Sequence, residues 1–144
     1  MPVIVIGADT PGGEEIVTRL LAREGQVRAF VTDRSVADRL KPLGVKVATG
    51  DVSDDSHVGA AATRCFSAVL LTTAASDDRE RSFATTPERV IEGWRNAMSE
   101  AGVRRAIWVS ATDVAPNTPE HVVLDPTKEG LAERIAELDD AVEL

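Results

Sequence analysis

Seven residues near the start of the chain, Gly7-Ala8-Asp9-Thr10-Pro11-Gly12-Gly13, carry its densest chemical signal. Glycines in such a run allow a tight turn and a close approach of backbone to a ligand, and a helix opening behind the turn aims free N–H groups and a positive dipole end at whatever lies above. A phosphate suits that place. Further polar residues recur after apolar runs: Thr32, Asp33 and Arg34, then Gly50 and Asp51, then Thr72 and Thr73, and finally Ser110. Strand ends are where open α/β sheets bind ligands. Other chemistries find little support. His57 and His121 have no acid or cysteine at metal spacing, so surface histidine is the reading for both. Cys65 is alone and reads as a small buried residue, and the chain contains no tyrosine.

The elements that must position these residues follow from hydrophobic periodicity. Val3 to Ile6 and Val27 to Val31 are continuous apolar runs, the mark of strands covered on both faces. Between them Ile16, Val17, Leu20 and Leu21 recur at helical spacing, and Gly25 ends that helix. The alternation continues with a helix over Val36 to Leu43 and a strand over Val45 to Thr49. A helix capped by Asp54 or Ser56 runs through Ala62, and a strand covers Ala68 to Thr73. Ser76 to Thr86 is polar and reads as a loop. Pro87 opens a long helix that Gly102 closes, Ala106 to Ser110 is a fifth strand, and Ala115 to Pro119 is a loop. Asp125-Pro126 reads as cap and first turn of a last helix reaching Asp140. Strands alternating with helices predict an α/β, doubly wound, parallel five-stranded sheet in the order 3-2-1-4-5, a Rossmann-like single domain over residues 1–144.

Composition narrows the partners. With 24 acidic against 16 basic residues the net charge is −8. An acidic chain without a basic cluster is a poor match for nucleic acid or an anionic membrane. No apolar run approaches a membrane span, and the first strand begins too early for a signal peptide, so the expected compartment is the cytoplasm.

Several segments together resemble the NmrA-like branch of the short-chain dehydrogenase/reductase superfamily. Its turn runs G-x-x-G-x-x-G; Gly7 and Gly13 match the outer glycines, while Thr10 stands at the middle one and Gly12 is displaced by two positions. Leu20-Leu21-Ala22-Arg23-Glu24-Gly25-Gln26-Val27-Arg28-Ala29-Phe30-Val31, Gly50-Asp51-Val52-Ser53-Asp54 and Ala101-Gly102-Val103-Arg104-Arg105-Ala106-Ile107-Trp108-Val109-Ser110 follow family patterns in order and spacing. The resemblance implies a bound dinucleotide, NAD or NADP. Its pyrophosphate would lie over Gly7, Asp9, Thr10, Pro11, Gly12 and Gly13, with the Thr10 hydroxyl able to donate to it. Asp51 and Val52 would meet adenine, and Thr72, Thr73 and Ala74 the ribose and nicotinamide. Ser110 and Lys128 fall at the superfamily's serine and lysine. At the cofactor-choosing position the branch carries arginine for NADP where this chain has Thr32; Asp33 argues for NAD and Arg34 for NADP, and the balance leans to NAD.

The resemblance also implies a missing step. Leu124-Asp125-Pro126-Thr127-Lys128 stands where reductases carry Tyr-x-x-x-Lys, with leucine in place of the proton-donating tyrosine. Three functions follow: a nucleotide- or redox-sensing binding protein, a reductase or isomerase using water, Ser110 or Thr73 instead of tyrosine, and a scaffold assembling with a protein partner without cofactor. The same resemblance places the chain's end where a sixth strand would begin, and predicts a homodimer through the helix from Pro87 to Ala101, with Trp94 near the middle of the contact and the final helix as the rival surface. The acidic stretch from Glu133 to Glu143 reads as a solvated helix face and tail.

Overall fold

A computed structural model describes residues 1–144. Its element order is β1 (Val3–Ile6), α1 (Gly13–Leu21), β2 (Val27–Val31), α2 (Arg34–Leu40), β3 (Lys46–Thr49), α3 (Asp55–Ala61), β4 (Ser67–Leu71), α4 (Thr73–Ser76), α5 (Pro87–Ala101), β5 (Arg105–Val109), β6 (Glu120–Leu124) and α6 (Leu131–Asp140). All strands run parallel in the order β3-β2-β1-β4-β5-β6. The predicted topology is therefore present, with a sixth strand added beyond β5.

That strand corrects the sequence reading of the C-terminal region. Glu120 to Leu124 pair with Arg105 to Val109, and only residues 110–119 connect the two strands, without a helix. The last helix starts at Leu131 behind Gly130, which is left-handed at φ 71°, and not at Pro126. Asp125 instead closes a local turn, accepting from the backbone N–H and hydroxyl of Thr127 at 2.8 Å each. The Asp-Pro pair is a genuine turn signal whose short-range bonds compete with helix initiation. The predicted second helix is also shorter, giving way to a 3-10 turn over Lys41–Leu43 because Pro42 cannot extend it.

Two cores sandwich the sheet. Val3, Val5, Ala29, Val31, Val69 and Ile107 face one side, under α1, α2 and α6. Ile4, Ile6, Phe30, Leu70, Ala106 and Trp108 face the other, under α3, α4 and α5. The alternation within β1 is the strand period of two, with each face apolar because helices cover both. Trp94 is fully buried in the second core, stacked on Trp108 at 6.4 Å, and donates from Nε1 to the Val52 carbonyl at 2.7 Å. It is a core residue and not a dimer contact, since the helix turns its tryptophan toward the sheet.

The acidic end is likewise structural. Glu133 pairs with Arg19 at 2.6 Å, and Arg23 holds Asp139 at 2.6 Å and Asp140, so the carboxylates of α6 clamp it onto α1. Arg105, with no exposed surface, extends from β5 to the carbonyls of Leu138, Asp139, Ala141 and Val142 and to Glu120. The two terminal nitrogens of this buried cation are thereby paired at the negative end of a helix, while its Nε has no partner.

Candidate functional site

The glycine turn sits at the C-terminal edge of β1, beside the end of β4. Gly7 has φ 83°, and a Cβ there would lie 2.8 Å from Ala74 Cβ. Gly13 has an ordinary φ, but a Cβ would lie 2.3 Å from the Ala8 carbonyl oxygen, so only glycine lets α1 start this close to β1. The N–H groups of Gly12, Glu14 and Glu15 find no partner within the protein. Unpaired donors at the positive end of a nine-residue helix are the kind of group that an anion can satisfy. Thr10 takes a different part from the expected one. Its hydroxyl donates to the Gly7 carbonyl at 2.7 Å and is buried, so it braces the turn and has no proton left for a phosphate.

Facing the turn is a cavity of about 360 Å³ between α1 and the segment 126–132. Thr10, Gly12, Glu15, Thr73 and Lys128 line it, and Lys128 is the only basic side chain on the wall. Lys128 lies in the loop before α6 rather than in the first turn of a helix, and it is exposed. Thr72 and Ser110 open onto a second cavity, of about 440 Å³, beside the start of α5. Thr72 donates its hydroxyl to the Val109 carbonyl at 3.0 Å, and Ser110 Oγ accepts from the Thr112 N–H at 3.2 Å. Ala74 and Val52 are wholly buried; Ala74 packs against Gly7, and the Val52 carbonyl serves Trp94.

The ends of β2 and β3 form a third group, covered by residues 77–86. Asp9, with 2% of its side chain exposed, accepts from the N–H groups of Thr32 and Asp33 at 2.8 and 2.9 Å. Arg79 lies on Asp9 at 3.1 Å and also donates to the Thr32 hydroxyl at 3.1 Å. Asp51 is fully engaged: one oxygen accepts from the Ser53 N–H and hydroxyl, the other from the Ser82 N–H at 2.8 Å. Burial raises the Asp51 pKa, but the bonds from Ser53 and Ser82 outweigh it and hold the carboxyl below its usual range. Asp33 spends one oxygen capping α2 through Ser35, which likewise lowers its pKa. The following Arg34 is exposed in the first turn. Asp54, not Asp51, caps α3.

A family model described as NAD(P)H-binding matches residues 7–143. The chain belongs to this NAD(P)H-binding family. NAD or NADP is the family's ligand class, and the NmrA-like pattern is consistent with it. The "Sterol demethylase protein B" of Methylococcus capsulatus is 30% identical over 141 residues, covering 90% of this chain and 42% of that protein. Among solved structures, the Citrobacter sp. triphenylmethane reductase complexed with NADP(H) superposes with TM-score 0.63 at 20% identity, over 76% of this chain and 37% of its own. A short-chain dehydrogenase/reductase (wide type) from Veillonella parvula, in complex with NADP, gives TM-score 0.71 at 13% identity, over 99% of this chain and 88% of its own. These structural likenesses establish the fold. The chain spans less than half the length of the curated relative and of the triphenylmethane reductase.

Measured against the family's reductase pattern, the matched pair falls apart in space. Leu124 ends β6, paired with Val109, and its carbonyl accepts from the Ser110 N–H at 2.9 Å. A Tyr-x-x-x-Lys spacing puts both side chains on one helix face. Here the five positions run from a strand end into a turn, so Leu124 and Lys128 share no face.

Sequence reasoning missed Arg79, Ser53 and Ser82. The bonds of Ser82, Phe83 and Arg79 span 30 to 70 positions, and no local pattern announces such contacts. His57 also departs from a plain surface role. Its ring meets Phe30 edge-on at 4.9 Å and fills the space beside Gly50, where a Cβ would lie 2.4 Å from Nδ1.

Proposed function

We propose that this chain is a nicotinamide-dinucleotide-binding protein of a sensing or regulatory kind, without ordinary carbonyl reduction. The observation that carries the reading is the cradle at Gly7 to Gly13. Two positions admit no Cβ, three N–H groups are unpaired at a helix start, and Lys128 stands across a cavity from them. That donor set fits a pyrophosphate: Gly12, Glu14 and Glu15 offer backbone N–H groups, and Lys128 adds a mobile point charge. When bound, the dinucleotide supplies hydride-transfer chemistry. The residues around it do not complete such a step, because reducing a carbonyl requires a proton at the new alkoxide. No tyrosine exists in the chain, Leu124 carries no proton, Ser110 is engaged with Thr112, and the Thr73 hydroxyl, though it lines the cavity, is a far weaker acid than a tyrosine phenol.

The reading includes the remaining site residues in supporting parts. Thr10 and Asp9 brace the turn and the end of β2, Thr73 presents a hydroxyl to the cavity, and Asp33 places negative charge where a 2′-phosphate would come. NAD is accordingly the preferred form. A homodimer in the cytoplasm belongs to the same reading, formed through the groove that Gly59, Ala60, Ala97 and Ala101 line between α3 and α5. Light scattering at micromolar concentration tests the dimer.

Calorimetric titration with NAD, NADH, NADP and NADPH tests the binding. Saturable binding is expected, with no cofactor oxidation against a panel of aldehydes, ketones and quinones. Absence of binding with all four at millimolar concentration would refute the reading and leave a scaffold as the function. Turnover that depends on Lys128 would make the protein a reductase.

A further inference from the structure

The adenosine end of the groove is where the fold and the ligand class meet a difficulty. At the ends of β1, β2 and β3 the acceptors are Asp9, the Thr32 hydroxyl, Asp51 and Ser53, and every one already has a donor from residues 77–86. The segment leaves β4 through the short α4 and crosses the sheet's C-terminal edge before returning to α5. Arg79 lands on Asp9 and Thr32, the Ser82 N–H on Asp51 at 2.8 Å, and the Phe83 N–H on Ser53 Oγ at 3.0 Å. Within the segment, Asp77 ties Arg79 at 2.8 Å and Arg81 at 3.1 Å, and Arg81 reaches back to the Ala74 carbonyl at 2.9 Å. It is a cross-braced strap.

We propose that residues 77–86 are an internal occupant of the adenosine end, holding the acceptors that an adenosine would use, so that dinucleotide binding and the closed strap exclude one another. The proposal rests on the dinucleotide-binding reading of the glycine turn. The chemistry is a match of donors. An adenosine presents an exocyclic amine and two ribose hydroxyls; the strap presents two backbone N–H groups and a guanidinium to the same row. Asp51 has both oxygens filled, and Asp9 is buried under Arg79. A donor arriving from a ligand must displace one already there. The pyrophosphate end has no such obstacle, since Gly12, Glu14 and Glu15 keep their N–H groups free. The two ends are therefore set differently: one is open, and the other is closed by the protein's own chain. Apparent affinity for any ligand with an adenosine falls by the fraction of molecules with the strap open, whereas a ligand lacking adenosine is unaffected. Lifting the strap also frees Arg79 and moves Phe83, already 68% exposed, which links occupancy to a surface change.

The test compares NAD, NADP, ADP-ribose and nicotinamide mononucleotide by calorimetry on the full chain and on two variants. Arg79→Met keeps the stem and removes the guanidinium; Ser82→Pro removes the N–H that Asp51 accepts. Unchanged far-UV circular dichroism and a cooperative melt establish that each variant folds. Both variants are expected to bind NAD and ADP-ribose more tightly, by up to the inverse of the fraction of wild-type molecules with the strap open, with nicotinamide mononucleotide unchanged. Saturating the wild type with NAD should speed hydrogen exchange at Ser82 and Phe83. NAD affinity that stays equal or weakens in both variants, while the wild type binds, would overturn the strap and leave the dinucleotide reading standing. Loss of NADP but not NAD affinity in Arg79→Met would overturn it too, making Arg79 a phosphate contact. No binding by wild type or variants would remove the dinucleotide reading, and the strap proposal with it.

Discussion

Substituting alanine at Gly12 and at Gly13 should separate two reasons for glycine that a sequence shows as one. Gly13 has an ordinary backbone, but its added Cβ would sit 2.3 Å from the Ala8 carbonyl oxygen, 2.6 Å from its carbon and 2.8 Å from its Cα. Those atoms are backbone, fixed between β1 and the turn, so the helix must shift. Overpacking against an element that cannot yield costs about 3 kcal/mol. Gly12 lies one residue away at φ 85° with nothing within 4 Å of its Cβ. Its alanine variant meets only the left-handed penalty of about 1 to 2 kcal/mol. Urea unfolding at pH 7 measures both, and at about 3 °C per kcal/mol for a domain of this size the melting temperatures should fall by about 9 °C and about 4 °C respectively. Gly13→Ala should also weaken dinucleotide binding by moving the N–H groups of α1, an effect Gly12→Ala shows to a smaller degree. Equal destabilisation by the two variants would refute the close-approach argument, and a Gly13→Ala variant as stable as wild type would show that α1 is free to retreat.

Four further outcomes are expected. Arg105→Leu leaves Glu120 and the carbonyls at the end of α6 without their buried donor, and should cost about 3 to 5 kcal/mol in urea unfolding. Lys128→Ala should lower dinucleotide affinity about fivefold with no change in melting temperature, because it removes an exposed point charge worth about 1 kcal/mol. Asp33→Asn keeps a capping oxygen for Ser35 while deleting the charge, so NADP should gain about fivefold relative to NAD by titration. Asp51 and Asp77 are held below the ordinary carboxylate range against the pull of burial, by Ser53 and Ser82 and by Arg79 respectively, so the folded state releases their protons more readily than the unfolded one. Their contribution is then complete at neutral pH and lost as pH falls below about 4, which melting temperatures measured from pH 7 to pH 3 should show.

What the residues decide by themselves is the part of the molecule written in local periods. A short apolar run such as Val3 to Ile6, bounded by a glycine turn, reads as a strand buried on both faces, and the recurrence of Ile16, Val17 and Leu20 marks a helix face turned to the core. Gly7 and Gly13 announce the turn because no other residue allows its geometry. Order and handedness then follow from the βαβ rule, which is why the topology from β3 to β5 matches expectation. The C-terminal quarter did not yield to the same reading. Glu120 to Leu124 is only half-buried, and it becomes a strand because β5 offers an edge with which to pair. Asp125-Pro126 carries a helix-start pattern, yet its side chain is satisfied first by Thr127. The fate of polar groups was hidden for the same reason. That Thr10 turns its hydroxyl inward, that Trp94 faces Trp108, and that Arg79 lies on Asp9 are facts about distances across the fold. Sequence spacing sets which residues share a face; only the packed sheet and its crossing loops decide which acceptor each donor finds.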